Sequence, residues 1–187
     1  MREIIIRTIL CSAFAFTNLI IGCSDNKATV ALARSNYEKN EKVVHALVDY
    51  FKSISPDSQG VLLGLTDSRS TYRIGLFNYT HAIIEGDPNR GGELDIDSEE
   101  MAMYLEELGW SKENVLEIEK MLNEADCISI SIDAEDVEVR YRTSDVSSVV
   151  YLIQSTPMSQ GLMDSLRSTN PDNVINEYVY IGFTSAL

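Results

Sequence analysis

Apolar residues recur at three- and four-residue spacing from Tyr37 through Val43, Val44, Leu47, Val48 and Phe51 to Ile54, with Lys42, His45, Asp49 and Lys52 on the other side. That period predicts an amphipathic helix over 36–54, ended by Ser55-Pro56-Asp57. Residues 24–36 are small and polar with few apolar positions, and read as a tether, or through 28–33 as a backward extension of the helix. Two runs rich in β-branched and aromatic residues, 61–66 and 72–79, are divided by Asp67-Ser68-Arg69-Ser70 and predict an antiparallel pair. Residues 81–84 continue the second strand or form a short third one.

A glycine-rich loop over 85–92 precedes a second helical period, Met101, Tyr104, Leu105 and Leu108. Asp97 with Glu100 three residues on has the spacing of a capping box, and Gly109 followed by Trp110 that of a Schellman stop. Ser111 then caps a third helix whose buried face is Val115, Ile118, Leu122 and Ala125. The period changes to two at Cys127. Ile128, Ile130 and Ile132 alternate with Ser129 and Ser131, and Val137, Val139 and Tyr141 with Glu138, Arg140 and Arg142, giving a hairpin across Ala134-Glu135 with one wet face. Residues 147–154 are apolar on both sides, as an inner strand is. Thr156 and Pro157 suit N-cap and N1 of a fourth helix with Met158, Leu162 and Leu166 inward, and 178–183 forms a closing strand.

Strands in groups with helices between the groups predict one α+β domain over 37–187. Its sheet is mostly antiparallel, of about five to seven strands, and four helices pack mainly on one face. The uncovered face and the last strand supply the candidate binding surface, Arg140, Arg142, Tyr178 and Tyr180, since tyrosines offer rigid area with a polar tip.

The first residues follow another rule. Arg2 and Arg7 precede a mostly apolar run over 8–22, which ends in Leu19-Ile20-Ile21-Gly22-Cys23 and stops abruptly at Ser24-Asp25. The run is shorter than the ~20 apolar residues of a spanning helix, and an ordinary signal peptide leaves Cys23 unexplained. This stretch resembles the lipobox of bacterial lipoproteins. The resemblance covers about the first 24 residues and implies cleavage between Gly22 and Cys23, with a diacylglyceryl thioether on Cys23. Two or more acyl chains give stable anchoring. Ser24, where aspartate is the usual inner-membrane retention signal, implies the outer membrane if the cell is Gram-negative.

Charge and cysteine usage sharpen the picture. The formal net charge is −14, and loss of Arg2, Arg7 and Glu3 with the leader makes it one unit more negative. Such a surface repels nucleic acid and favours cationic partners or divalent ions. With Cys11 in the leader and Cys23 carrying lipid, Cys127 stands alone, which excludes an intramolecular disulfide and suits a buried thiol.

The chemistry-bearing residues form no known motif. There is no Gly-x-Ser-x-Gly elbow, phosphate loop or dinucleotide fingerprint, and His45, His81 and Cys127 have no metal-site spacing. The acidic segment Asp87, Glu93, Asp95, Asp97, Glu99 and Glu100 crowds oxygens beside glycines, but the EF-hand spacing fails and a helix start explains it. No cofactor or metal is called for. The expectation is a membrane-anchored protein, held by acylated Cys23, whose acidic domain binds a protein or envelope partner, as an inhibitor or immunity protein binds a basic target. The alternatives are an envelope hydrolase with a carboxylate pair and a structural subunit of an envelope assembly.

Overall fold

A computed structural model describes residues 26–57, 59–66, 71–77, 93–133, 136–141 and 147–185. The long helical stripe becomes α1 (Asn26–Ile54), which starts ten residues ahead of the expected position. Residues 26–36 are therefore helix and not tether. Ala33 and Val30 continue the stripe of Tyr37 backwards by one and two turns and are buried with it. Long-range bonds hold this extra length. Arg34 donates to the carbonyls of Asp172 and Val174, each at 2.7 Å. Asn36 Nδ2 donates to Ala125 O at 2.9 Å, and Tyr151 Oη to Ala33 O at 2.8 Å.

After α1 come β1 (Gly60–Leu65), β2 (Thr71–Phe77), β3 (Leu94–Asp95), α2 (Glu99–Leu108) and α3 (Lys112–Glu124). The chain continues through β4 (Cys127–Asp133), β5 (Asp136–Tyr141), β6 (Ser147–Ile153), α4 (Gln160–Thr169), a 3₁₀ turn (Pro171–Asn173) and β7 (Val179–Ser185). The seven strands form one sheet in the order β3-β2-β1-β4-β5-β6-β7, and every neighbouring pair is antiparallel. The α+β expectation holds. The register lines up Ile74, Leu63, Ile130, Val139, Tyr151 and Ile181 across six strands on one face. All six are buried, and α1, α2 and α3 cover them with Leu47, Phe51, Met101, Leu105, Ile118 and Leu122. Removing this apolar area from water is the main stabilising term, at roughly 25 cal/mol per Å².

The helix starts show where local signals compete. Ser98, not Asp97, is the N-cap of α2, and its Oγ accepts from Met101 N at 3.1 Å. The helix begins one residue later than expected, which puts Met101 at N3 and removes the reciprocal glutamate; Asp97 pairs with Lys112 instead. Gly109 does end α2 in the left-handed region (φ 67°), with Trp110 N donating to Leu105 O at 2.8 Å and Gly109 N to Glu106 O at 3.2 Å. This is the Schellman pairing. Trp110 then packs edge-on against Phe51 with ring centroids 5.6 Å apart, and its Nε1 donates to Ile54 O at 2.7 Å. Ser111 and Asn114 form a complete capping box on α3.

Helix α4 is capped by Ser159, not Thr156. Met158 N is engaged with Glu177 O at 2.7 Å, an extended pairing that delays the helix past Pro157. Its buried residues are Met163 and Leu166, which join Met158 and Val174 in a separate small cluster. Tyr180 packs against that cluster, while its neighbours Val179 and Ile181 point into the main core. So α4 sits beside the β7 edge towards the second face of the sheet. No helix among the described residues is long and apolar enough to cross a membrane.

Candidate functional site

Side chains alternate across a sheet, so the register that builds the core also specifies the opposite face. Two rows cross it. One reads Arg73, Gly64, Ser129, Arg140, Val150 and Gly182 from β2 to β7; the other reads Gly75, Leu62, Ser131, Glu138, Leu152 and Tyr180. Glycine and serine dominate the middle strands. A methyl group on Gly64 would lie 3.4 Å from Ser129 Cβ and 3.7 Å from Arg73 Cβ, so this part of the face is low and close-set. Towards β7 the ground rises, where Leu152 Cδ1 leans to within 2.8 Å of the Cβ position of Gly182 and Val150 stands beside it.

Arg140 and Glu138 are half-buried in these rows, two residues apart on β5. Burial lowers the pKa of Arg140, the Glu138 charge opposes that, and the Arg73 guanidinium adds to it. Burial raises the pKa of Glu138, against the pull of Arg140. The two do not form an ion pair within 4 Å, and Arg140 Nε is shielded from water with no hydrogen-bond acceptor. Burial also pushes the Tyr180 hydroxyl up to about 12.

Of the four residues expected there, Arg140 and Tyr180 lie on this face. Arg140 stands at its centre, and Arg73, which the sequence reading passed over, joins it through β1 and β4. Tyr180 faces the same way, but its ring is occupied by the Met158, Met163, Leu166 and Val174 cluster. Tyr178 is exposed and lies just ahead of β7, not within it. Arg142, Gly22, Cys23, His81 and Asp87 lie outside the described residues.

Other candidates resolve into structural roles. His45 is not simply solvated; it shares a 2.9 Å hydrogen bond with Tyr37 Oη. Burial pushes Tyr37 up to about 12. Cys127 is fully buried, as expected, and its thiol donates to Ala125 O at 3.4 Å. Glu119 accepts from the Tyr72 hydroxyl at the rim of the core. Among the described residues, no three His, Cys, Asp or Glu side chains gather as a metal site would need.

A second surface stands on the helices. Glu99, Glu106, Glu107, Glu113 and Glu124 are exposed along α2 and α3. The only lysines of those helices, Lys112 and Lys120, are engaged by Asp97 and Glu117. Two exposed apolar side chains stand on these helices: Met103 (70%), with Glu99, Glu106 and Glu107 one turn away on α2, and Leu116 (47%), with Lys112, Glu113 and Lys120 one turn away on α3. Apolar anchors ringed by charge are what a protein interface uses, the anchors for affinity and the charges for steering. Set against protein-family models, curated proteins and solved structures, the chain matches none of them.

Proposed function

We propose that the chain is a lipid-anchored bacterial envelope protein whose acidic domain binds a basic protein, in the manner of an inhibitor or immunity protein. The observation that carries the binding reading is the exposed side of α2, where Met103 has Glu99, Glu106 and Glu107 one turn away. A net charge of −14 extends that field and speeds encounter with a cationic surface. The anchor rests on Leu19-Ile20-Ile21-Gly22-Cys23.

The early start of α1 changes what such an anchor does. Cys23 is three residues from Asn26, a reach of about 10 Å at ~3.3–3.6 Å per residue. A tether over 24–36 would have reached ~45 Å on the same arithmetic. An acylated Cys23 therefore holds the domain close to the headgroups, and its partner is met at the membrane surface.

Two measurements test this reading separately. For the anchor, Cys23→Ser should move the protein from the membrane to the soluble fraction and abolish an acyl mass carried by the parent. Membrane fractionation unchanged by the substitution, with no acyl mass on the parent, refutes it. For the binding face, a captured basic protein should be released by salt and lost in the Glu106→Lys/Glu113→Lys variant. Capture that survives both refutes the assignment to α2 and α3.

A further inference from the structure

We propose that the sheet face turned away from α1, α2 and α3 is a receptor site for a carboxylate, an aspartate or glutamate side chain of a bound polypeptide, gripped by Arg140 and Arg73 across Gly64 and Ser129. The site is separate from the acidic helices and does not rest on the anchor or on the basic partner.

Placement comes first. Arg73 and Arg140 occupy one register row, with only Gly64 and Ser129 between them. At ~4.8 Å between strands their Cα atoms are roughly 14 Å apart, and neither intervening residue has a side chain tall enough to separate the guanidinium groups. The Arg73 charge is felt at Arg140, where it disfavours protonation.

Neither cation is held in an ion pair among the described residues. Among the described residues, Arg73 and Arg140 make no hydrogen bond or ion pair, and Arg140 Nε is buried without a protein acceptor. A guanidinium is a planar fork whose paired N–H groups match the two oxygens of a carboxylate. Glu138 acts on Arg140 through its charge alone and not as an ion pair, so the paired N–H groups of the two arginines are poised for a carboxylate from outside.

The surroundings choose among anions. Net charge −14 works against phosphate groups, polyanions and anionic lipid, which concentrate negative charge, and least against a single carboxylate. Leu62 and Leu152, both part-exposed, flank the arginine and glutamate positions in the two rows and suit the methylenes of an acidic side chain. Glu138 is the one carboxylate of these rows, and its raised pKa lets it accept a proton when a second carboxylate arrives.

The test uses the full chain in neutral detergent micelles, with the Arg Nε–Hε resonances followed by NMR. The probes, at constant ionic strength, are a capped Leu-Glu-Leu peptide, its Leu-Gln-Leu counterpart and inorganic phosphate. The Glu peptide should shift the Arg140 Hε signal saturably, and the Gln peptide should not. Arg140→Gln and Arg73→Gln should each weaken Glu-peptide binding at least tenfold, while keeping a dispersed backbone spectrum. Arg140→Lys, which keeps the charge and loses the fork, should weaken it several-fold. Non-saturating shifts, equal affinity in the glutamine variants, or saturation by phosphate but not by the Glu peptide each overturn the assignment.

Discussion

Replacing Tyr151 by phenylalanine tests the least expected feature of the fold, the docked first turns of α1. Tyr151 is fully buried on β6, and its ring meets Tyr37 edge-on at 5.3 Å. Its hydroxyl donates to Ala33 O at 2.8 Å and accepts from Asn36 Nδ2 at 3.0 Å. Phenylalanine keeps the ring and its apolar contacts and deletes only those two bonds. Asn36 retains Ala125 O at 2.9 Å, and Ala33 O lies within α1, so neither partner is left wholly unsatisfied. At about 0.5–1.5 kcal/mol for each neutral hydrogen bond, the loss is about 1–3 kcal/mol. That corresponds to roughly 2–4 °C in Tm per kcal/mol for a chain of this size. Urea unfolding followed by Trp110 fluorescence measures it, with Asn36→Ala completing a double-mutant cycle. The coupling between the two positions should be about 0.5–1.5 kcal/mol. A Tyr151→Phe variant as stable as the parent, with no coupling to Asn36, would mean that 33–36 does not dock on β6.

Three further outcomes follow from single features. Gly109→Ala places a side chain at φ 67° and should cost about 1–2 kcal/mol, read by urea unfolding; a neutral result would refute the left-handed stop of α2. Glu138 has a folded pKa above its unfolded one, so the native state binds the extra proton and parental stability falls as pH rises through that interval, from about 4.5 upward. Glu138→Gln should therefore gain on the parent as pH is raised to 7 and match it below about pH 4; stability curves that stay parallel across that range would show the carboxylate to be unstrained. Cys127, buried at the start of β4, should react with a maleimide only as fast as the domain unfolds, whereas rapid labelling of the native Cys11→Ser/Cys23→Ser chain would contradict its burial.

Much of the fold could be read ahead of the structure because its signals are local. The alternation of Ile130 and Ile132 with Ser129 and Ser131 needs only the two-residue period of a strand, and it correctly separated the two faces of β4. Gly109 and Ser111 likewise act within a single turn of chain. Where two local signals competed, the nearer backbone decided: Ser98 displaced Asp97 as a cap, and the Met158–Glu177 pairing moved the start of α4 to Ser159. Tyr180 was assigned to the right side of the sheet, yet its availability depended on α4, which no strand pattern reveals.

The chain's own order of residues determined its α+β class, the helical stripes and the hairpin, because periodicity and turn chemistry are properties of neighbours. Only the tertiary structure decided that α1 begins at Asn26, since Arg34, Asn36 and Ala33 find their partners at Asp172, Ala125 and Tyr151, far along the chain. It alone put Arg73 in line with Arg140. The pairing of β1 with β4 brings them together, and backbone hydrogen bonds between distant strands leave no mark on the side chains they align.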